Sequence, residues 1–135
     1  MKDPTGELLG AFKTALAAIS YNSKLWHCYD VEPPQGKRNY IYISDIVLNE
    51  NMAKDLWIFS GVVGIQISSI KDKNSRVALN SLASSILVAL TKIKLTMSSH
   101  TMIVSSFPNS VEISEETTDS NYIKRLSLTF ETQQK

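Results

Sequence analysis

The residue types that most often carry chemistry are scarce in this sequence. The chain has one cysteine, Cys28, and two histidines, His27 and His100. A thiol becomes a nucleophile when a nearby base or cation ionises it, and here an imidazole would have to be the base. His27 directly precedes Cys28, and neighbours in a strand point to opposite faces. We therefore interpret Cys28 as a small apolar side chain packed in a strand, and we predict no catalytic residues.

Neither a metal centre nor a nucleotide cofactor is predicted. A zinc site usually needs three or four converging ligands, and one cysteine with two histidines supplies no obvious set. The five glycines have neither the spacing of a dinucleotide-binding loop nor that of a P-loop. The acidic stretch at 112–119 lacks the ligand pattern of an EF-hand. We expect no cofactor.

The composition indicates a single globular domain, which we assign to residues 1–135. The chain is 43% hydrophobic and 20% charged, close to the averages for globular domains. Its 14 basic and 13 acidic residues leave a net charge of +1, whereas a dedicated nucleic-acid-binding domain is usually far more basic. We find no apolar run of transmembrane length and no signal-peptide pattern. We therefore expect intracellular synthesis and no membrane contact.

Apolar periodicity predicts two amphipathic helices. In the first 20 residues, apolar side chains recur every three or four positions from Leu8 to Ile19, after a cap at Asp3 or Thr5. A charged turn at 71–76 leads into the second helix. The apolar face predicted for that helix consists of Leu79, Leu82, Ile86, Leu90 and Ile93.

The other segments have the composition and alternation of strands. We predict strands at 25–31, 40–48, 56–70, 101–107, 111–115 and 122–131. The polar segments at 33–39 and 49–55 are predicted connections, and Gly61 and Gly64 predict a bulge or a close approach by another backbone. Because most strands follow one another directly, hairpins are favoured. The predicted fold class is α+β, a mainly antiparallel β-sheet with both helices packed on one face.

Four stretches occur in an order that is typical of one family. Residues 28–34 (CYDVEPP) follow the N-terminal helix, and residues 39–44 (NYIYIS) form a strand with Asn39 where the family usually has proline. The long strand at 57–70 precedes a polar turn and a helix, and residues 125–130 (RLSLTF) form the last strand. Together they resemble the tail-terminator and tail-completion proteins of long-tailed bacteriophages, also called tail-to-head joining proteins.

The resemblance implies a structural virion protein and not an enzyme. It implies an α+β subunit that forms a homo-oligomeric ring, 6- or 12-fold, at the phage neck or tail. Its partners would be other copies of itself and the adjacent neck, tail-ring or tail-tube proteins. Genome DNA would pass through the lumen without sequence-specific binding, which suits a net charge near zero. The implied location is the virion, after synthesis in the cytoplasm of the host bacterium.

Two groups of charged residues are candidates for the contacts of such a ring. A cyclic ring requires two different complementary patches on each subunit, and we predict that the basic residues at 71–76 face acids of the adjacent chain. The predicted contact residues are Lys37, Arg38, Asn51, Lys71, Lys73, Arg76, Glu115 and Glu116. A solvated turn and a solvated hairpin are the alternative interpretation of these groups.

The residues alone leave two other functions open. One is a monomeric cytosolic binding or adaptor domain without catalytic activity. The other is a small enzyme that uses Cys28. Oligomeric state separates the ring from the adaptor, and thiol alkylation tests the enzyme.

Overall fold

The computed structural model describes residues 3–21, 24–35, 39–53, 56–71, 75–92, 99–102, 110–118 and 121–134. Its elements in chain order are α1 (Thr5–Ala15), β1 (Ser20–Tyr21), β2 (Lys24–Leu25), β3 (Cys28–Tyr29), β4 (Tyr40–Ala53), β5 (Leu56–Ile70), α2 (Ser75–Lys92), β6 (His100–Met102), β7 (Ser110–Thr117) and β8 (Asn121–Gln134).

Strands β3 to β8 form one sheet, and β1 and β2 form a separate small hairpin. The order in the sheet is β3-β4-β5-β8, and both β6 and β7 pair with β8 along the edge that faces away from β5. Only the short pair of β3 with β4 is parallel, and the other described pairs are antiparallel. The predicted α+β class is confirmed.

One face of the sheet is apolar, and both helices cover it. Val63 and Ile65 of β5 pair in register with Leu128 and Leu126 of β8, and all four side chains are buried. The core also contains five buried residues from the helical segments and the turn after α1: Phe12, Leu16, Leu82, Ile86 and Leu90. Each fully buried side chain of this kind contributes about 1.5–3 kcal/mol. Ile93, predicted on the same helical face, lies outside the described residues.

Helix α1 is shorter than its apolar periodicity predicts. Asp3 Oδ1 accepts hydrogen bonds from the hydroxyl (2.6 Å) and the backbone N–H (2.9 Å) of Thr5, and these bonds lower the pKa of Asp3. The helix ends at Ala15, because the chain must turn to form the β1–β2 hairpin. Leu16 and Ile19 are nevertheless buried, so the periodicity identified core residues but not the helix end. Neither described helix is long and apolar enough to cross a membrane.

The prediction of a polar turn at 49–55 is wrong for most of that segment. Strand β4 continues to Ala53, and residues 49–53 pair with residues 56–60 of β5. The backbone of β5 offers hydrogen-bonding partners along this length, and Asn49 and Glu50 keep their side chains exposed. Polar composition therefore marked an exposed part of a hairpin and not its turn.

Two further strand predictions change at their boundaries. The segment 25–31 is divided between β2 and β3, because one part pairs with β1 and the other with β4. Strand β6 begins at His100, and the rest of the predicted strand at 101–107 lies beyond the described residues after Met102.

A bulge in β4 and the glycines of β5 produce the close approach predicted from the sequence. The register of β4 on β5 shifts between Ile43 and Asp45. At the bulge, the Ser44 hydroxyl donates a hydrogen bond to the carbonyl oxygen of Gly64 (3.2 Å). A β-carbon at position 64 would lie 2.7 Å from that hydroxyl oxygen, so only glycine fits without a shift.

Gly61 provides the sharpest stability test of this packing. A β-carbon there would lie 2.6 Å from Leu48 Cδ2 and 2.7 Å from the carbonyl oxygen of Val47. We expect Gly61→Ala to lower the free energy of unfolding by about 1–3 kcal/mol, because the extra methyl overpacks the site. The control is Gly10→Ala in α1, where nothing lies within 4 Å. It should raise that free energy by roughly 0.5–1 kcal/mol. Equal effects in urea unfolding would contradict the close approach.

Candidate functional site

Neither described histidine is placed to act as a base for the thiol of Cys28. Its side chain is buried in β3, and burial raises the pKa of the thiol to about 11. His27 is exposed beside it, and its ring contacts that of Tyr29 with centroids 4.6 Å apart. His100 lies on β6, at the opposite side of the sheet from β3. Its Nδ1 is 3.1 Å from Glu7 Oε2. No base therefore reaches the thiol from either described histidine.

The raised pKa makes Cys28 a test of this burial. At pH 8 roughly one thiol in a thousand is ionised when the pKa is about 11. We expect native protein to react with iodoacetamide at least about 100-fold more slowly than protein unfolded in urea, because only the thiolate reacts and the site is closed. Intact-mass spectrometry measures both rates. Similar rates in the two states would contradict the buried thiol.

No metal centre emerges from the side chains that the structure describes. They contain no group of three or more His, Cys, Asp or Glu residues placed to hold an ion. The uncovered face of the sheet has a polar hollow of about 280 Å³ at the β4 bulge, with Asp45, Glu112 and Arg125 in its lining. This hollow contains charge and hydroxyl groups, and the Ser44 hydroxyl in its lining donates a hydrogen bond to Asp45 Oδ1 (3.0 Å). The surfaces formed by the described residues are further candidates for function.

Two of the basic residues predicted at 71–76, Lys71 and Arg76, lie close to the ring of Tyr122. Lys71 Nζ lies 5.6 Å and the guanidinium carbon of Arg76 5.1 Å from the ring centroid of Tyr122. Cation–π contacts at exposed sites contribute about 0.5–1 kcal/mol each. Tyr122 is near the start of β8, where it pairs with Thr117 at the end of β7.

The predicted acidic residues lie at this same end of the sheet and have partners within their own chain. Glu115 is 3.3 Å from Lys124 Nζ, which also donates to Asn80 Oδ1 of α2 (2.6 Å). Glu116 forms an ion pair with Arg125. Both side chains of the Glu116–Arg125 pair are about half exposed, and exposed pairs contribute about 0–1 kcal/mol each. The structure thus brings Lys71, Arg76, Glu115 and Glu116 to one end of one subunit.

The side chains of the remaining predicted contact residues lie outside the described part of the chain. Lys37, Arg38 and Lys73 lie outside the described residues, and for Asn51 only the backbone, in β4, is described.

The two edges of the sheet were not predicted from the sequence. Strand β7 pairs with β8 on one side, no described strand lies on its other side, and all eight of its residues are exposed. At the opposite edge, β3 pairs with β4 only at Ile41 and Tyr42. Beyond Tyr42, no described strand covers the outer side of β4. Unpaired edges of this kind readily accept a strand from another chain.

Exposed apolar side chains project from the β7 edge. Val111 is 40% and Ile113 is 51% exposed. They pair in register with the buried Leu128 and Leu126 of β8, so they lie on the helix-covered face of the sheet. Neither side chain is buried by the described helices. The alternation of these residues was visible in the sequence, but their position at an edge was not.

A complementary hollow lies at the β4 edge. Ile46 and Leu48 pack against the core from that edge and border a hollow of about 460 Å³ with Phe59 and Glu50. The residues at the start of α1 form its rim. This hollow is on the same helix-covered face as Val111 and Ile113, because Ile46 pairs in register with the buried Val63.

Comparisons with known proteins identify the fold. No protein-family model and no curated protein matches the chain. Among solved structures, a chain from the "Virion of native gene transfer agent (GTA) particle" superposes with a TM-score of 0.70. The match covers 99% of this chain and 98% of that chain at 15% sequence identity. The two chains therefore share a fold along their whole described length.

Proposed function

We propose that this chain is a structural protein of a phage-like virion. In this proposal it forms a homo-oligomeric ring at the neck or tail, which joins the tail to the head-side connector around the DNA channel. The observation that carries the proposal is the full-length similarity to a chain of a gene transfer agent virion, over 99% of this chain. The tail-completion resemblance of the sequence independently favours the same class.

The surfaces of the subunit support assembly over catalysis. A ring of identical subunits needs two different patches that fit each other. In this sheet, β7 and the part of β4 beyond Tyr42 have no described strand on their outer sides, and both edges carry apolar side chains. The thiol that an enzyme would use is buried with a raised pKa. Adjacent neck or tail-tube proteins would dock on the ends of the ring.

The charges of the uncovered sheet face suit a DNA channel that does not hold its cargo. That face presents Asp45, Glu112, Glu116 and Glu131 against the single described cation Arg125. Phosphate contacts supply most of the non-specific affinity of proteins for DNA. An acidic face next to the channel would allow DNA to slide.

Oligomeric state tests the ring directly. We expect native mass spectrometry and negative-stain microscopy to show a closed ring of 6 or 12 subunits, because the two patches of each subunit are satisfied only by closure. The competing adaptor domain predicts a monomer of 15.1 kDa at every concentration, with no rings in the micrographs.

DNA binding provides a second test. We expect the free protein to bind DNA weakly, without sequence preference, and only at low ionic strength, because few phosphates can be neutralised. Fluorescence anisotropy with labelled duplexes at two salt concentrations measures this. Nanomolar affinity for one particular duplex at physiological salt would be incompatible with a passive channel.

A further inference from the structure

We propose that β7 of one copy adds to the outer edge of β4 of the next copy, so that Val111 and Ile113 pack against Ile46 and Leu48. The sheet would then continue from subunit to subunit. This inference rests on the proposed ring and identifies the contact between its subunits.

The direction of the strands fits this contact. Strands β4 and β5, β5 and β8, and β8 and β7 are all antiparallel, so β7 runs opposite to β4. Rotation about an axis parallel to the strands leaves their directions unchanged. Copies related by such a rotation therefore bring β7 beside β4 in the antiparallel sense, and the sheet keeps its alternation across the boundary.

The side chains fix one register. If Ile113 lies opposite Ile46, then Val111 lies opposite Leu48, and both pairs are on the helix-covered face. The two exposed side chains of β7 then reach the edge of the hollow that Ile46 and Leu48 border. A shift of two residues that places Ile113 opposite Leu48 leaves Val111 opposite Glu50 and Ile46 opposite Glu115, so two of the four apolar side chains lose their apolar partner.

Repulsion between acidic side chains disfavours the alternative arrangement, in which β7 would run parallel to β4. A parallel arrangement that kept the apolar pairs would place Glu115 opposite Glu50, both exposed, and like charges directly opposite each other are destabilising. In the antiparallel register, Glu115 instead lies at the bulge of β4 between Ile43 and Asp45, away from Glu50. Backbone direction and side-chain charge thus favour the same arrangement.

Disulfide cross-linking tests the register without disturbing the core. The antiparallel register places Glu112 opposite Val47 on the uncovered face, and both side chains are exposed. The native Cys28 is buried, so it does not compete. We expect the double variant Glu112→Cys with Val47→Cys to form a ladder of covalent oligomers on mild oxidation. The control pairs Val47→Cys with Val77→Cys, an exposed position on α2, and should form no ladder.

A charged side chain introduced into the proposed contact provides a second test. Ile113→Asp should weaken assembly at least about 10-fold, because the carboxylate would be desolvated against apolar side chains. The subunit should still fold, because Ile113 is already 51% exposed. The control is Val77→Asp, which replaces a valine that is 61% exposed and should leave assembly unchanged.

The possible outcomes distinguish the proposed β7–β4 contact from the proposed ring. Rings with the ladder support both proposals. Rings without the ladder, or rings that tolerate Ile113→Asp, overturn this contact and leave the proposed function standing. A ladder of open chains without rings supports the contact and contradicts the closed ring. A monomer with no ladder overturns both.

Discussion

Backbone hydrogen bonding along β5 is the interaction on which the rest of the structure depends. Its 15 residues pair with β4 on one side and with β8 on the other over nearly their whole length. That register places Val63, Ile65 and Ile67 on a single face, which the two helices bury. It also places β4 and β7 toward opposite edges of the sheet. The core and the candidate assembly surfaces therefore follow from the same set of strand pairs.

The edges of β7 and β4 that no described strand covers must accept the correct strand and exclude other strands. An exposed edge strand pairs indiscriminately unless charge or shape limits its partners. Here β7 presents Glu112, Glu115 and Glu116 beside only two large apolar side chains, Val111 and Ile113. The acids keep the edge soluble and repel wrong registers. The apolar pair provides affinity only for an edge with a matching apolar hollow, which this chain has on β4.

The sequence predicted those parts of the fold in which the position of a residue depends on its burial alone. The apolar face of α2 was predicted correctly at its described residues, Leu79, Leu82, Ile86 and Leu90, because periodicity reports burial directly. The end of α1 and the extent of β4 were not, since both depend on contacts with distant segments: the turn into the β1–β2 hairpin and the pairing of residues 49–53 with β5. The cations beside Glu115 and Glu116 depend on the register of β7 on β8, which composition does not contain. The same holds for the edges, because strand order is a property of topology.

Hydrogen–deuterium exchange, followed by mass spectrometry, tests most directly whether the edges join the copies. The exchange is compared between dilute and concentrated protein. We expect amides in peptides covering 110–115 and 44–49 to exchange more slowly on assembly, because an intermolecular ladder forms there. Central peptides of β5 should not change, since this strand is already paired on both sides. Slower exchange confined to the exposed side of α2 around Val77 and Asn80, with β7 unchanged, would contradict it.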